Sequence, residues 1–235
     1  MRIRLTLPWA DHGPAIGPTI RTMTTTEESS RVTPRNDSDH RKRLLDGMAV
    51  MAASKGVATT TIADIVREAG VSKRTFYEHF KTKEDCFLQL YRQVSSASLQ
   101  ALSEALVSNR PWQTQIETAL HAYFSYLAQA PRLMKSLFIE VHHLGPEGMA
   151  VRREVLQKFA DFMLDVVNGP AEPVESGDAT RPRILTRTMA MAAVGGINEL
   201  VIELIEQGRE AEVDSLTPAA AEIVRVLTQA ELSDL

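Results

Sequence analysis

The sequence predicts an all-α fold, and three observations lead to that class. Apolar residues recur at helical spacing from Ser38 almost to the end of the chain, and no stretch shows the alternation typical of strands. Glycine, proline and polar clusters separate the helical segments. With 235 residues, of which 44% are hydrophobic and 24% charged, the chain can form one or two domains with a sizeable core.

The first 36 residues lack any helical or strand periodicity and are rich in Pro, Ser and Thr. Such a composition is typical of a flexible segment, so residues 1–36 are predicted to be an N-terminal extension. Met23 opens the stretch MTTTEESSRV and is an alternative translation start to Met1.

Charge is distributed unevenly along the chain. Residues 31–95 hold twelve Lys and Arg against eight Asp and Glu, whereas residues 96–235 hold eleven against nineteen. The first of these regions therefore carries +4 and the second −8, within a formal total of −4. This asymmetry indicates that only the first region meets a polyanion.

Two short helices are predicted after a longer first helix. The first helix buries an apolar face and ends at Gly56; that face comprises Leu44, Leu45, Met48, Ala49, Met51 and Ala52. In TTTIADIVREAG, Thr61 and Asp64 have the spacing of a capping box, and Gly70 ends the second helix.

The third helix follows a tight turn. Ser72 caps it, and Phe76 and Phe80 lie one turn apart on its buried side. Thr82 and Asp85 repeat the capping-box spacing at the start of a longer fourth helix. Further helices are predicted near residues 113–129, 131–143, 147–168, 182–207 and 217–231.

Two short helices joined by a tight turn with Gly form a helix-turn-helix pattern, whose second helix lies in the DNA major groove. With Phe76 facing the core, basic, hydroxyl and aromatic side chains remain for base edges and phosphates. The predicted DNA-binding residues are Thr60, Thr61, Ser72, Lys73, Arg74, Thr75, Tyr77, His79 and Lys83. Glu78 is expected to pair with Arg74 at i, i+4 spacing. The alternative is a solvated face of a structural helix.

The stretch TTTIADIVREAGVSKRTFYEHFKTKEDCFLQLY resembles the DNA-binding signature of the TetR family of transcriptional regulators. The agreement spans roughly residues 40–92. The resemblance implies a DNA-binding domain at 37–84, followed at 85–235 by a helical effector-binding and dimerisation domain. It also implies a homodimer that binds a palindromic double-stranded operator, with a small-molecule effector that controls the separation of the two recognition helices.

The acidic region supplies candidates for the partner subunit and the effector. MAAVGGINELVIELIEQG is similar to the penultimate helix of one regulator subgroup, and its small residues permit close approach of a second helix. The predicted dimer interface comprises Ala192, Gly195, Gly196, Ile197 and Leu200. The candidate ligand-binding residues, Tyr123, Phe124, Met134, Phe138, His142, Phe159 and Met163, favour a mainly apolar effector; for each of them plain core packing is the alternative.

Other functions find little support in the sequence. Glu140 and His143 have the Glu-x-x-His spacing of di-iron bundles, but no second such motif accompanies them, so no metal or cofactor is expected. Nucleophile-elbow, phosphate-loop and dinucleotide motifs are absent, so no enzyme activity is expected. The lone Cys86 is interpreted as a small core residue in a cytoplasmic protein, and membrane insertion is not expected.

The resulting hypothesis is a ligand-responsive transcriptional repressor that binds its operator as a homodimer in the free state. Two alternatives remain open at this point. One is a regulator that activates transcription when it binds ligand, and the other is a helical ligand-binding or scaffolding protein without sequence-specific DNA binding.

Overall fold

The computed structural model describes residues 34–106, 112–169 and 185–229. In this part of the chain the secondary structure is entirely helical: α1 (Pro34–Lys55), α2 (Ile62–Ala69), α3 (Lys73–His79), α4 (Lys83–Ala105), α5 (Trp112–Ala128), α6 (Pro131–Phe138), α7 (Gly145–Asn168), α8 (Arg187–Glu206) and α9 (Thr217–Gln229). Two 3-10 helices, Glu140–Leu144 and Glu210–Leu216, precede α7 and α9. The all-α class is confirmed. Met23 and the predicted extension before residue 34 lie outside the described residues.

Helices α1 and α2 cross closely because a glycine lies at their contact. A Cβ atom at Gly47 would stand only 2.9 Å from the carbonyl oxygen of Ile65, so a larger residue would force the helices apart. The predicted face of α1 is buried, with Leu44, Leu45 and Met48 fully inaccessible to solvent. Helix α1 begins at Pro34, so residues 34–36 are helical rather than part of the extension.

The predicted capping box of α2 is complete. The Thr61 hydroxyl accepts from the amide of Asp64, and the Asp64 carboxylate accepts from the amide of Thr61 at 3.0 Å. Gly70 ends the helix in the left-handed region, at φ 62° and ψ 38°, where a side chain would be strained. The Arg43 guanidinium donates to the Gly70 carbonyl at 2.9 Å and thereby ties the turn to α1.

Helix α3 is held by its aromatic side. Ser72 caps it by accepting from the amide of Thr75 at 3.1 Å, as predicted. Phe76 and Phe80 are buried, with their ring centroids 5.6 Å apart. The capping box predicted at Thr82 is only half formed, because Asp85 accepts from the amide of Lys81 instead of that of Thr82.

The second half of the chain packs around the long helix α4. The start of α4 contacts α1, and its later turns contact α5 and α7. Helices α8 and α9 pack against each other, while α5 contacts α9 and α7 contacts α8. Most predicted segments correspond to helices, with two corrections. The segment 131–143 divides after Phe138 into α6 and a 3-10 helix, and α8 begins only at Arg187, with Thr186 as its cap.

Helix α8 is long and apolar enough to cross a membrane by length and composition alone, with a mean hydropathy of 1.5. The structure instead packs one side of this helix into the protein core, where Ala190, Ala193 and Val201 are fully buried. Cys86 is also fully buried, as predicted, and this burial raises the pKa of its thiol.

Candidate nucleic-acid interface and ligand cavity

Helix α3 presents basic and aromatic side chains to solvent on the side opposite Phe76. Lys73 and Arg74 are exposed, and 60% of the Tyr77 surface is accessible. Lys73 and Tyr77 make no polar contact within the described part of the chain, so their donor groups are available to a ligand. Thr75 is half-buried beside them, and its hydroxyl lies 2.9 Å from that of Ser72.

The predicted pairing of Glu78 with Arg74 is confirmed. The Nε atom of Arg74 donates to the Glu78 carboxylate at 3.1 Å, one turn along the helix. This contact uses one edge of the guanidinium, and the Arg74 side chain remains 90% exposed. This pair orients the Arg74 side chain, and the guanidinium offsets the negative charge of Glu78 on the exposed side of α3.

The start of α2 carries a second polar cluster. Asp64 accepts from Thr61, from Lys55 at 2.5 Å and from Arg67 at 2.7 Å. These hydrogen bonds, led by the one from Lys55, hold the pKa of Asp64 well below its usual range. Thr61 is exposed at the helix N-terminus, as predicted, but its hydroxyl is already committed to Asp64 at 2.6 Å.

Two of the predicted DNA-binding side chains point inward instead. Thr60 is buried, and its hydroxyl donates to the Gly56 carbonyl at 2.7 Å. The His79 side chain is only 6% exposed, and its Nε2 atom lies 3.5 Å from the carboxylate of Asp37 on α1. The structure therefore places neither side chain on the exposed face of α3.

Lys83 requires the same correction. Its ammonium donates to the carbonyl oxygens of Val57, Ala58 and Thr60 at 3.0, 2.9 and 2.8 Å. An ammonium has three N–H donors, and all three are used by this loop. Lys83 therefore fastens the loop after α1 to the start of α4 and is not free to bind a phosphate. Sequence reasoning did not include Lys81, which is exposed just after α3 and adds positive charge to this face.

A large apolar cavity lies between α4, α5 and α7, and α6, α8 and α9 complete its wall. Its empty volume is about 1060 Å³, open space at its mouth included. Four of the predicted ligand-binding residues line it: Tyr123, Phe138, Phe159 and Met163. The rings of Tyr123 and Phe159 meet across the wall at 5.7 Å. Such a wall suits a mainly hydrocarbon ligand.

The other three predicted ligand residues do not line the cavity. Phe124 is fully buried among apolar residues of α8 and α9, because it lies one position round the helix from Tyr123. Met134 is 1% exposed and belongs to the same core. His142 is exposed on the 3-10 helix Glu140–Leu144, where residual burial and the charge of Arg152 lower its pKa. The structure therefore does not bring these three residues into the cavity wall.

Polar groups are few in the cavity wall, and sequence reasoning missed most of them. Ser95 and Ser98 each donate to a carbonyl of their own helix. Tyr91 and Asn198 also line the wall, and burial raises the pKa of Tyr91 to about 12. Asn198 was detectable as the one amide within the apolar run MAMAAVGGINELVIELI.

A hydrogen-bonded joint links the cavity wall to the DNA-binding helices. The Glu140 carboxylate accepts from the amide of Val57 at 2.6 Å and from the Ser136 hydroxyl at 2.7 Å. That hydroxyl also lies 3.1 Å from the carbonyl of Ala52 on α1. Phe138 lines the cavity and lies between Ser136 and Glu140 in the sequence, so these hydrogen bonds connect the cavity wall to the end of α1.

The outer side of α8 carries most of the predicted dimer residues. Ala192 is exposed, and Gly195, Gly196 and Leu200 are half-buried. A Cβ atom at Gly195 would meet no heavy atom within 4 Å, so this backbone is open to approach. Val226 of α9, 51% exposed, extends the apolar surface. Ile197 is the exception, because it is 8% exposed and faces the cavity of its own chain.

The chain has the architecture of a helix-turn-helix DNA-binding regulator: α2 and α3 meet at a tight glycine turn, basic residues project from α3, and a separate helical region encloses a ligand-sized cavity. The family model of the bacterial regulatory proteins, tetR family, matches residues 44–90. The resemblance of the signature to the TetR family is therefore confirmed over the DNA-binding domain, residues 44–90.

Relatives extend beyond the DNA-binding domain. The fatty acid metabolism regulator protein of Bacillus subtilis (strain 168) is 19% identical over 182 residues, which cover 77% of this chain and 92% of that protein. The regulator AcrR of Shigella flexneri is 23% identical over 176 residues, covering 73% and 81%. The crystal structure of FadR from Bacillus subtilis in complex with stearoyl-CoA has a TM-score of 0.64 at 17% identity, covering 80% of this chain and 98% of that one. At this identity the structural similarity establishes the fold alone.

Proposed function

We propose that this regulator is a repressor that binds a palindromic operator as a homodimer and is released by a small, mainly apolar effector. The DNA-binding unit is assigned to residues 37–84 and the effector and dimerisation unit to the chain from residue 85 onward. The observation that carries the proposal is the apolar cavity. Its wall lies next to Glu140, whose carboxylate accepts from the amide of Val57 just after α1.

A long hydrocarbon chain is the effector class that best suits this cavity. The wall runs along α4 from Tyr91 to Leu106, which corresponds to about 22 Å at the rise of an α-helix. FadR from Bacillus subtilis, a protein of the same fold, binds stearoyl-CoA. An effector that fits only the conformation with separated recognition helices would shift the population away from the DNA-binding state.

Dimerisation through α8 and α9 supplies the second recognition helix. The surface formed by Ala192, Gly195, Gly196, Leu200 and Val226 is apolar and open to close helix approach. A two-fold axis there would present two copies of α3 to successive major grooves, about 34 Å apart, which requires a palindromic site.

Selection of bound DNA from a random double-stranded pool tests the DNA-binding half of the proposal. A palindrome should emerge, and fluorescence anisotropy should give an affinity that falls steeply with salt. Arg74→Ala should reduce discrimination between the selected site and a scrambled one, whereas Tyr77→Phe should weaken both alike. Arg187→Ala, at the start of α8, is the matched control and should leave both affinities unchanged.

Addition of stearoyl-CoA to the complex tests the effector half. Release of the selected DNA, together with repression that is relieved in a reconstituted transcription assay, would support the proposal. Transcription that rises only when protein and ligand are both present would identify an activator instead. Recovery of no sequence from the pool would favour a ligand-binding protein without specific DNA recognition.

A further inference from the structure

Asn198 places an unsatisfied amide in the wall of the cavity. The residue is 9% exposed, and its Nδ2 atom is buried without a hydrogen-bond partner within the described part of the chain. It stands in an otherwise apolar stretch of α8, between Ile197 and the surface residue Glu199. A buried donor without an acceptor destabilises the folded protein, whereas leucine there would not. An acceptor supplied by a ligand in the cavity would satisfy this amide.

Two tyrosine hydroxyls accompany Asn198 in the cavity. Tyr91 of α4 and Tyr123 of α5 both line the wall, and neither hydroxyl makes a hydrogen bond within the residues that the structure describes. Burial raises the pKa of both phenols, and the proximity of Tyr91 raises that of Tyr123 further. Both phenols are therefore neutral donors at physiological pH.

The three groups lie towards the same end of the cavity. Helices α7 and α8 run antiparallel, since Asn168 bonds Leu185 at one end while Arg152 lies 3.9 Å from Glu199 at the other. Arg92, which follows Tyr91 on α4, donates to Glu154 of α7 at 3.0 Å, so Tyr91 lies near the end occupied by Asn198. This end adjoins the DNA-binding helices, because α4 starts there. The opposite end is lined by Leu102, Leu106, Ile116 and Val167.

We propose that Asn198, Tyr91 and Tyr123 form the recognition site for a neutral oxygen acceptor, such as an ester, thioester or ketone carbonyl, at the inner end of an effector whose hydrocarbon chain fills the rest of the cavity. This inference rests on the proposed function of the cavity as the effector site. Sequence reasoning treated the cavity as mainly apolar and assigned no polar recognition to it.

A neutral acceptor fits this end better than a carboxylate. Among the described residues that line the cavity there is no Lys, Arg or His, so a buried anion would have no counter-charge in contact with it. Two arginines near this end, Arg92 and Arg152, do not line the cavity and lie beside Glu154 and Glu199 respectively. Neutral N–H and O–H donors satisfy a carbonyl oxygen without this cost, and its two lone pairs accept from two of the three groups at a time.

A series of twelve-carbon probes that differ only in the head group tests the inference on the full chain. Methyl dodecanoate carries the neutral acceptor, dodecanoate the carboxylate, and dodecane neither. Displacement of the fluorophore N-phenyl-1-naphthylamine reports their affinities, and the rise in melting temperature provides a second measurement. The ester should bind most tightly to the wild type.

Asn198→Leu should weaken ester binding by about five- to tenfold, as expected for one lost hydrogen bond, and leave dodecane unchanged. Tyr123→Phe should act in the same direction. Ser96→Ala is the matched control, because that serine is exposed on α4 and does not line the cavity. Tightest binding of dodecanoate, an equal loss for all three probes, or binding of none of them would overturn the inference.

Release of operator DNA by each probe separates this inference from the proposed function. If the ester binds through Asn198 but the DNA remains bound, the proposed recognition site is supported and the proposed release of DNA by the effector is refuted. If all three probes release DNA equally in wild type and Asn198→Leu, the proposed function stands and the recognition site is refuted.

Discussion

Lys83 was predicted to contact a DNA phosphate, whereas the structure shows it bound to the loop after α1. Replacing Lys83 by methionine tests which of these two roles it has. The ammonium donates three hydrogen bonds to the loop carbonyls of Val57, Ala58 and Thr60, and the side chain is 23% exposed. Methionine retains the apolar stem and removes all three donors. The loop after α1 would then lose its attachment to α4.

The size of the effect follows from the number and exposure of these bonds. A hydrogen bond to a charged group contributes about 1.5–3 kcal/mol. The three share one ammonium that is well solvated in the unfolded chain, and the exposed Ala58 carbonyl can turn to water, so they do not add. We therefore expect Lys83→Met to lower the free energy of unfolding by about 2–3 kcal/mol, or about 1 M in the urea midpoint.

Urea denaturation followed by circular dichroism measures this change, with all proteins at one concentration because dimers gain stability by mass action. Lys81→Met is the matched control: that lysine is exposed, and the substitution should alter stability by less than about 0.5 kcal/mol. An unchanged midpoint in Lys83→Met, with a salt dependence of DNA affinity reduced by about one phosphate contact, would refute the structural role.

Two further predictions concern the dimer surface and the start of α2. Gly196→Arg should yield monomers in sedimentation velocity, because the new side chain would occupy the proposed dimer surface of α8 and α9. Asp165→Arg, on the exposed side of α7, is the control and should remain dimeric. A dimer in both variants would show that the interface lies elsewhere. The lowered pKa of Asp64 means that its contribution is complete above the ordinary carboxyl pKa and is lost as the pH falls through the acid range. Between pH 7 and 3 the urea midpoint of the wild type should therefore fall more than that of Asp64→Asn, and parallel curves would exclude this linkage.

Sequence reasoning succeeded where the determining contacts are local. The capping box of Thr61, the left-handed Gly70 and the Arg74–Glu78 pair each involve residues at most four positions apart or a single backbone conformation. Helical spacing also identified the buried side of α3 around Phe76. Short-range geometry of this kind is contained in the sequence itself, because helix periodicity fixes which neighbours meet.

The failures share a different cause, which is a partner distant in the chain. Lys83 and its loop carbonyls are separated by 23 to 26 positions, and Glu140 and Val57 by 83. A helical projection identifies Lys83 as partly exposed but cannot indicate what lies in front of it. In the same way, α5 is apolar on two sides, so periodicity could not determine that Tyr123 faces the cavity and Phe124 the core.

These long-range contacts converge on the segment that joins sensing to DNA binding. Glu140 holds the amide of Val57 from the cavity side, while Lys83 holds its carbonyl from the side of α4. Close-packed elements transmit displacements because they cannot compress. A ligand that displaces α6 at Phe138 must therefore either move the end of α1 with it or break the Glu140 contact. Since α1 crosses α2 at Gly47 without spare room, we expect a movement of α1 to carry α2 with it.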